Sequence, residues 1–144
     1  MNYIYLGLAD LYLPAAAAAI HLQKIKGDSI PTYQELLSCP GFRVMDKEDD
    51  GRLIWIGQAG NGDNVYIAAV KEHPEIFMRA AVSLLAAYHA MEEVKVIPCM
   101  PENPQIGYWC CRLKKLGLVD LANRLGALLV RNRFGEIKNI VNHL

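Results

Sequence analysis

The hydrophobic pattern changes period within the first two dozen residues. "NYIYLG", Asn2–Gly7, is short, rich in Ile, Leu and Tyr, and stops at glycine, which predicts a buried strand. Beyond it Pro14 suits the first turn of a helix, where a missing N–H costs nothing. Ala15–Ala19 carry the highest helix propensity, and the helix is expected to run to about Lys26, before Gly27. A strand, a tight turn and a helix are the layout of a ligand-binding α/β turn.

The remaining pattern supplies further elements. Thr32 and Glu35 form a capping box for a short helix that Pro40 follows. "RLIWIGQ" and "NVYIAAV" read as two strands, with "AGNGD" as a glycine-bearing hairpin turn. A phosphate-cradling loop there would need a helix directly after the glycines, and a strand-like run follows instead. Pro74 opens the most regular helix, with Phe77, Ala80, Ala81, Leu84, Leu85, Tyr88 and Met91 as its expected buried stripe and His89 beside it. "VKVI", Val94–Ile97, then reads as a strand, making a strand–helix–strand unit with a parallel pair. Asn103 and Pro104 start another helix, which Gly117 closes. Two more follow, from Asp120 and around Ile137–Leu144. The expected fold is a single α/β domain over residues 1–144. Its mixed sheet of about four strands holds one hairpin and one parallel unit, is flanked by helices, and is followed by a helical C-terminal third.

Charge and cysteines narrow the classes. Fifteen Lys/Arg balance fifteen Asp/Glu, but residues 112–144 hold seven basic and two acidic residues. That segment raises a nucleic-acid reading through Arg112, Lys114, Lys115, Arg124, Arg131 and Arg133. It lacks an aromatic platform or a named motif, so a solvated helical face is the expectation. Cys39, Cys99, Cys110 and Cys111 show no C-x-x-C spacing, so no metal and no cofactor are expected, and buried free thiols fit a reducing cytoplasm. No Lys or Arg precedes the apolar opening and Asp10 interrupts it, which argues against a secretion signal. No apolar run is long enough for a membrane span.

Ligands of α/β sheets sit at the carboxyl ends of the strands, here Gly7–Leu13 and Pro98–Asn103. Gly7, Asp10, Tyr12 and Asn103 are the candidate ligand-binding residues, with Cys99 close in sequence. No nucleophile–base pair is evident, so no catalytic residue is assigned.

Several runs carry a family resemblance: "AAAIHL" at Ala17–Leu22, "IPTYQELL" at Ile30–Leu37, "DGRLIWIG" at Asp50–Gly57, "NVYI" at Asn64–Ile67 and "LGL" at Leu116–Leu118. In that order they resemble the bacterial family of domain of unknown function 3189. The resemblance implies a C-Y-G-G-x-H-S-S-like turn after the first strand, suited to an anion. This chain instead has Gly7-Leu8-Ala9-Asp10-Leu11-Tyr12-Leu13-Pro14 there. Asp10 puts a negative charge where the anion would sit, and Pro14 has no N–H to donate. The family's later Asn stands at Asn103, its Gly-Gly falls on Trp109-Cys110 and its Ser-Arg on Leu113-Lys114.

The expected function is therefore a non-catalytic binding or assembly subunit that self-associates or pairs with a paralogue. The alternative is a small-molecule or phosphate-binding protein, or an enzyme, with a rebuilt site at the strand ends. Leu8, Leu11, Tyr12 and Leu13 are the expected interface. The same side chains would equally fill the domain's own core, and the sequence does not choose.

Overall fold

The computed structural model describes all 144 residues. Its elements are β1 (Asn2–Leu8), α1 (Tyr12–His21), α2 (Tyr33–Leu37), a 3-10 turn (Lys47–Asp49), β2 (Ile54–Gln58), β3 (Asn64–Val70), α3 (Pro74–Ala87), β4 (Val94–Pro98), α4 (Gln105–Lys115), α5 (Val119–Asn132) and α6 (Phe134–Asn142). The four strands form one mixed sheet in the order β2-β3-β1-β4. β1 pairs in parallel with β3 and β4, and β2 joins β3 as the antiparallel hairpin, with a register shift between Trp55 and Gly57. The expected single α/β domain, its hairpin, its parallel unit and its helical C-terminal third are all present.

The side-chain alternation of the strands divides the core. Tyr5, Val65, Ile67 and Ile97 point to one face and join a large apolar cluster with α1, α5 and α6. Leu6, Ala68 and Val70 point to the other, where Phe77 and Met78 of α3 pack on them together with Ile4, Val96 and Met100. Ala15–Ala19 are buried on every side. The reason is position: α1 lies between the sheet and the α5–α6 pair, and only small side chains allow close approach on both flanks.

Three helix boundaries carry information. α1 ends at His21 rather than near Lys26, because Gln23 enters the left-handed region (φ 58°) and the Lys24 N–H donates to Ala19 O at 2.8 Å. At α2 the Glu35 N–H donates to Thr32 Oγ1, the first bond of a capping box, while the Glu35 carboxylate accepts the Thr32 hydroxyl rather than its backbone N–H. Gly117 (φ 79°) closes α4, with the Leu118 N–H on Leu113 O at 2.8 Å.

α3 departs from expectation. No residue of it is buried. Phe77, Ala81 and Leu85 are half-buried, whereas Ala80, Leu84, Tyr88 and Met91 lie exposed. Helical period fixes which residues share a stripe, but whether that stripe meets a surface is a tertiary matter. His89 is likewise exposed; it ends the helix with φ 54°, a conformation uncommon for a side chain larger than glycine's.

Candidate functional site

The turn after β1 is closed by its own side chains. Ala9 turns the chain with φ 57°. Asp10 Oδ1 then accepts the Tyr12 N–H at 2.6 Å and the Leu13 N–H at 3.0 Å, capping α1. These are the free amides that would otherwise draw an external anion to a helix N-terminus. Asp10 is 1% exposed, and its Oδ2 has no hydrogen-bond partner. Burial pushes this carboxyl up to about 7, against the opposing pull of the Leu13 and Tyr12 amides and of Arg133. Glycines hold the turn on both sides. A Cβ on Gly7 would stand 2.3 Å from Asp10 O, and one on Gly107 would stand 2.1 Å from Ala9 O.

The expected site residues are all engaged within the chain. Tyr12 is buried, its ring edge-on to Phe42 with centroids 4.8 Å apart, and its hydroxyl donates to Asn123 Oδ1 at 3.1 Å. Burial, followed by the charges of Cys110 and Asp10, holds that phenol far above its ordinary range. Asn103 caps α4, its Oδ1 accepting the Gln105 N–H at 3.0 Å. Cys99 is buried, and burial pushes its thiol up to about 12, with the Asp10 charge adding to the effect. A cavity of about 20 Å³ lies beside the turn, lined by Leu13, Cys99, Met100 and Arg133 among others. It has room for about one water molecule and no more.

Of the two places open to the expected interface residues, the single chain puts most of them in its own core. Leu11, Tyr12 and Leu13 are buried members of the main core, so they offer no surface to a partner; Leu8 is half-buried. The helix that follows is sandwiched between layers, so its first turn is interior rather than peripheral.

An open concavity lies next to this closed turn. β1 leads into α1 on one face of the sheet, while β3, its parallel neighbour, leads into α3 on the other. Connections that leave in opposite directions open a crevice at the carboxyl ends of the two strands. A concavity of about 270 Å³ is found there, lined by Ala9, Lys71, Tyr108, Cys111, Arg112 and Lys115 together with Met45. The Tyr108 hydroxyl donates to Lys71 O at 2.8 Å, tying α4 to the end of β3. Lys71, Arg112 and Lys115 form no ion pair, whereas the neighbouring Lys114 is engaged by Asp46. Asp50 stands near as well, its Oδ1 accepting the Lys71 N–H at 3.0 Å. The Cys111 thiol is raised by burial, with Lys71, Lys115 and Lys114 pulling it down and Asp46 pushing it up. A raised thiol with no adjacent base is not an activated nucleophile.

Sequence reasoning named Arg112 and Lys115 only as part of a basic segment and missed Lys71. The missing signal was topological: Lys71 joins the others because β3 lies beside β1. The rest of the basic segment is largely engaged. Arg124 pairs with Asp120, Arg133 pairs with Glu136 and donates to Met100 O, and Lys138 donates to Gly27 O. No group of three or more His, Cys, Asp or Glu side chains is placed to hold a metal ion, and all four cysteines are free. No helix is long and apolar enough to cross a membrane.

No curated protein and no solved structure matches this chain. A family model does, over residues 2–144, and its description is protein of unknown function (DUF3189). With essentially its whole length matched, the chain belongs to the DUF3189 family.

Proposed function

We propose that this protein is a binding module for a small anion, held in the crevice between the ends of β1 and β3. The observation that carries this reading is the convergence of three cations without ion-pair partners, Lys71, Arg112 (over the Trp109 ring) and Lys115, on one concavity at the point where the sheet connections diverge. Its volume of about 270 Å³ lies just under the range of roughly 300–1,000 Å³ usual for ligand pockets, which fits a compact polyanion. Two of the three cations, Arg112 and Lys115, are exposed, so the attraction is screened by salt. The absence of an activated nucleophile beside it supports binding without covalent chemistry.

This is the alternative of the two readings raised by the sequence, with its residues relocated. The rebuilt site lies beside the Gly7–Pro14 turn rather than on it. The turn is supported as structural by the Asp10 cap, which occupies the α1 amides from within.

Calorimetric titration at low salt with pyrophosphate and with citrate tests the proposal. Saturable binding is expected, weakened at least about tenfold by Arg112→Gln or Lys71→Gln and abolished near 0.5 M salt, where screening reaches a few ångströms. Asp10→Asn should leave it unchanged. No saturation by either anion at about 1 mM, or binding that only the Asp10 variant alters, rejects it.

A further inference from the structure

The second face of the sheet and the helix that lies on it are both incompletely covered. Parallel strands occur almost only in sheets with both faces buried. Four strands span roughly 19 Å, and one helix is about 10 Å across, so α3 alone covers about half of this face. It packs on Leu6, Ala68 and Val70. Trp55 is left on the uncovered half at 59% exposure. Its cross-strand partner is Tyr66, which shares the face of Ala68, so both aromatic rings belong to the α3 side.

α3 itself is apolar around most of its circumference. Its fourteen residues include two charges, Glu75 and Arg79, and none from Ala80 to Ala87. Pro74, Phe77, Met78, Ala81 and Leu85 turn toward the sheet. Ile76, Ala80, Leu84, Ala87 and Tyr88 form a second stripe at helical spacing, with Ile76 at 59%, Leu84 at 60% and Tyr88 at 80% exposure. A helix apolar over most of its surface belongs largely in an interior, yet in the single chain none of its residues is fully buried.

We infer that this face is the interface of a two-fold homodimer in which the outer stripe of α3 packs against the same stripe of the partner's α3. The outer stripe lies about 100° around the helix from the inner one, on the flank of α3 rather than opposite the sheet, so the partner's helix sits beside α3. Glu75, Arg79 and Ser83, on the side away from the sheet, stay exposed. The exposed parts of Trp55 and the outer stripe amount to roughly 600–700 Å² per chain, which reaches the lower range of a stable interface when counted on both partners. The near absence of charge is the composition of permanent homodimer contacts and sets up no repulsion between identical surfaces.

The inference is independent of the anion crevice, which lies at the strand ends. Sedimentation equilibrium of the full chain tests it, with Leu84→Asp and Tyr88→Asp as variants. Both side chains are exposed in the single chain, so neither change disturbs its folding, and circular dichroism serves as the check. Leu128→Asp, at an exposed position on α5, is the control. A wild-type dimer is expected, together with a dissociation constant raised at least about a hundredfold by each α3 variant, since each buries a charge at the contact, and unchanged by the control. A wild type that is monomeric at about 100 μM, or a dimer that both α3 variants leave intact, overturns it.

Discussion

The ring of Tyr12 lies against the backbone of Gly126: a Cβ there would stand 2.5 Å from two ring atoms and 2.6 Å from a third. This contact joins the start of α1 to the middle of α5, and glycine is what permits it. Alanine in mid-helix normally gains about 1 kcal/mol over glycine. Here the neighbour is a rigid, buried ring held by Phe42 and Asn123, so it cannot swing aside. Gly126→Ala is expected to lower stability by roughly 1–3 kcal/mol net, read as a reduced urea midpoint. Tyr12→Leu in the same chain should recover part of that loss, because it removes the ring that clashes. An alanine variant more stable than the wild type would contradict the contact.

Asp10 makes stability depend on pH in an unusual direction. Its carboxyl is raised from 3.8 to about 7, so between those values the unfolded chain has released a proton that the folded chain retains. Stability therefore falls as pH rises from about 4 to about 7, by at most about 1.4 kcal/mol per pH unit from this group. His21 is lowered by burial and acts in the opposite sense near its ordinary value, so the test is a difference. Asp10→Asn keeps an oxygen for the Tyr12 and Leu13 amides and removes the titration. Wild type minus variant, from chemical denaturation at pH 4.5, 5.5 and 6.5, should show the falling slope. A flat difference would mean that the carboxyl is not raised.

Asp49 acts at the acid end. It is buried, and Arg43 grips it with two hydrogen bonds of 2.5 and 2.9 Å, while the Asp46 N–H donates to it at 2.8 Å. The Arg43 hydrogen bonds hold its carboxyl below the ordinary value. This contribution is present above about pH 4 and disappears as pH falls through the lowered value. Arg43→Ala leaves the carboxylate buried with only its backbone donor and should cost roughly 1.5–3 kcal/mol at pH 7. The same substitution should cost less at pH 3, which thermal melts at the two pH values would reveal.

Ala9 gives the fourth prediction. Its left-handed backbone costs an L-residue roughly 1–2 kcal/mol, a strain that glycine does not feel. Glycine in turn loses about 0.4–1 kcal/mol through the freedom of the unfolded chain. Ala9→Gly should be at least as stable as the wild type by thermal denaturation. A marked loss would show that the Ala9 methyl, packed near Gly107, contributes more than the strain removes.

Much of the fold was legible because it is local. Pro14 and the alanines dictate a helix, "AGNGD" a hairpin, Thr32 with Glu35 a cap, and Gly117 a stop, each through forces acting within a few residues. Asp10 stood out in the sequence as a charge interrupting an apolar run. That its oxygen takes the α1 amides for itself is decided only by the folded turn. The sequence could not decide whether Leu11, Tyr12 and Leu13 were core or interface, because an apolar side chain reads the same in both places. The packing of α1 between two layers made them core. The stripe of α3 erred in the opposite sense. Its period is local, but its burial depends on a sheet wider than one helix can cover. Lys71, Arg112 and Lys115 come together only because β3 lies beside β1, a pairing between residues more than sixty positions apart. Spacing along the chain determined the elements; the order of strands in the sheet decided which of their ends, and which of their faces, stand open.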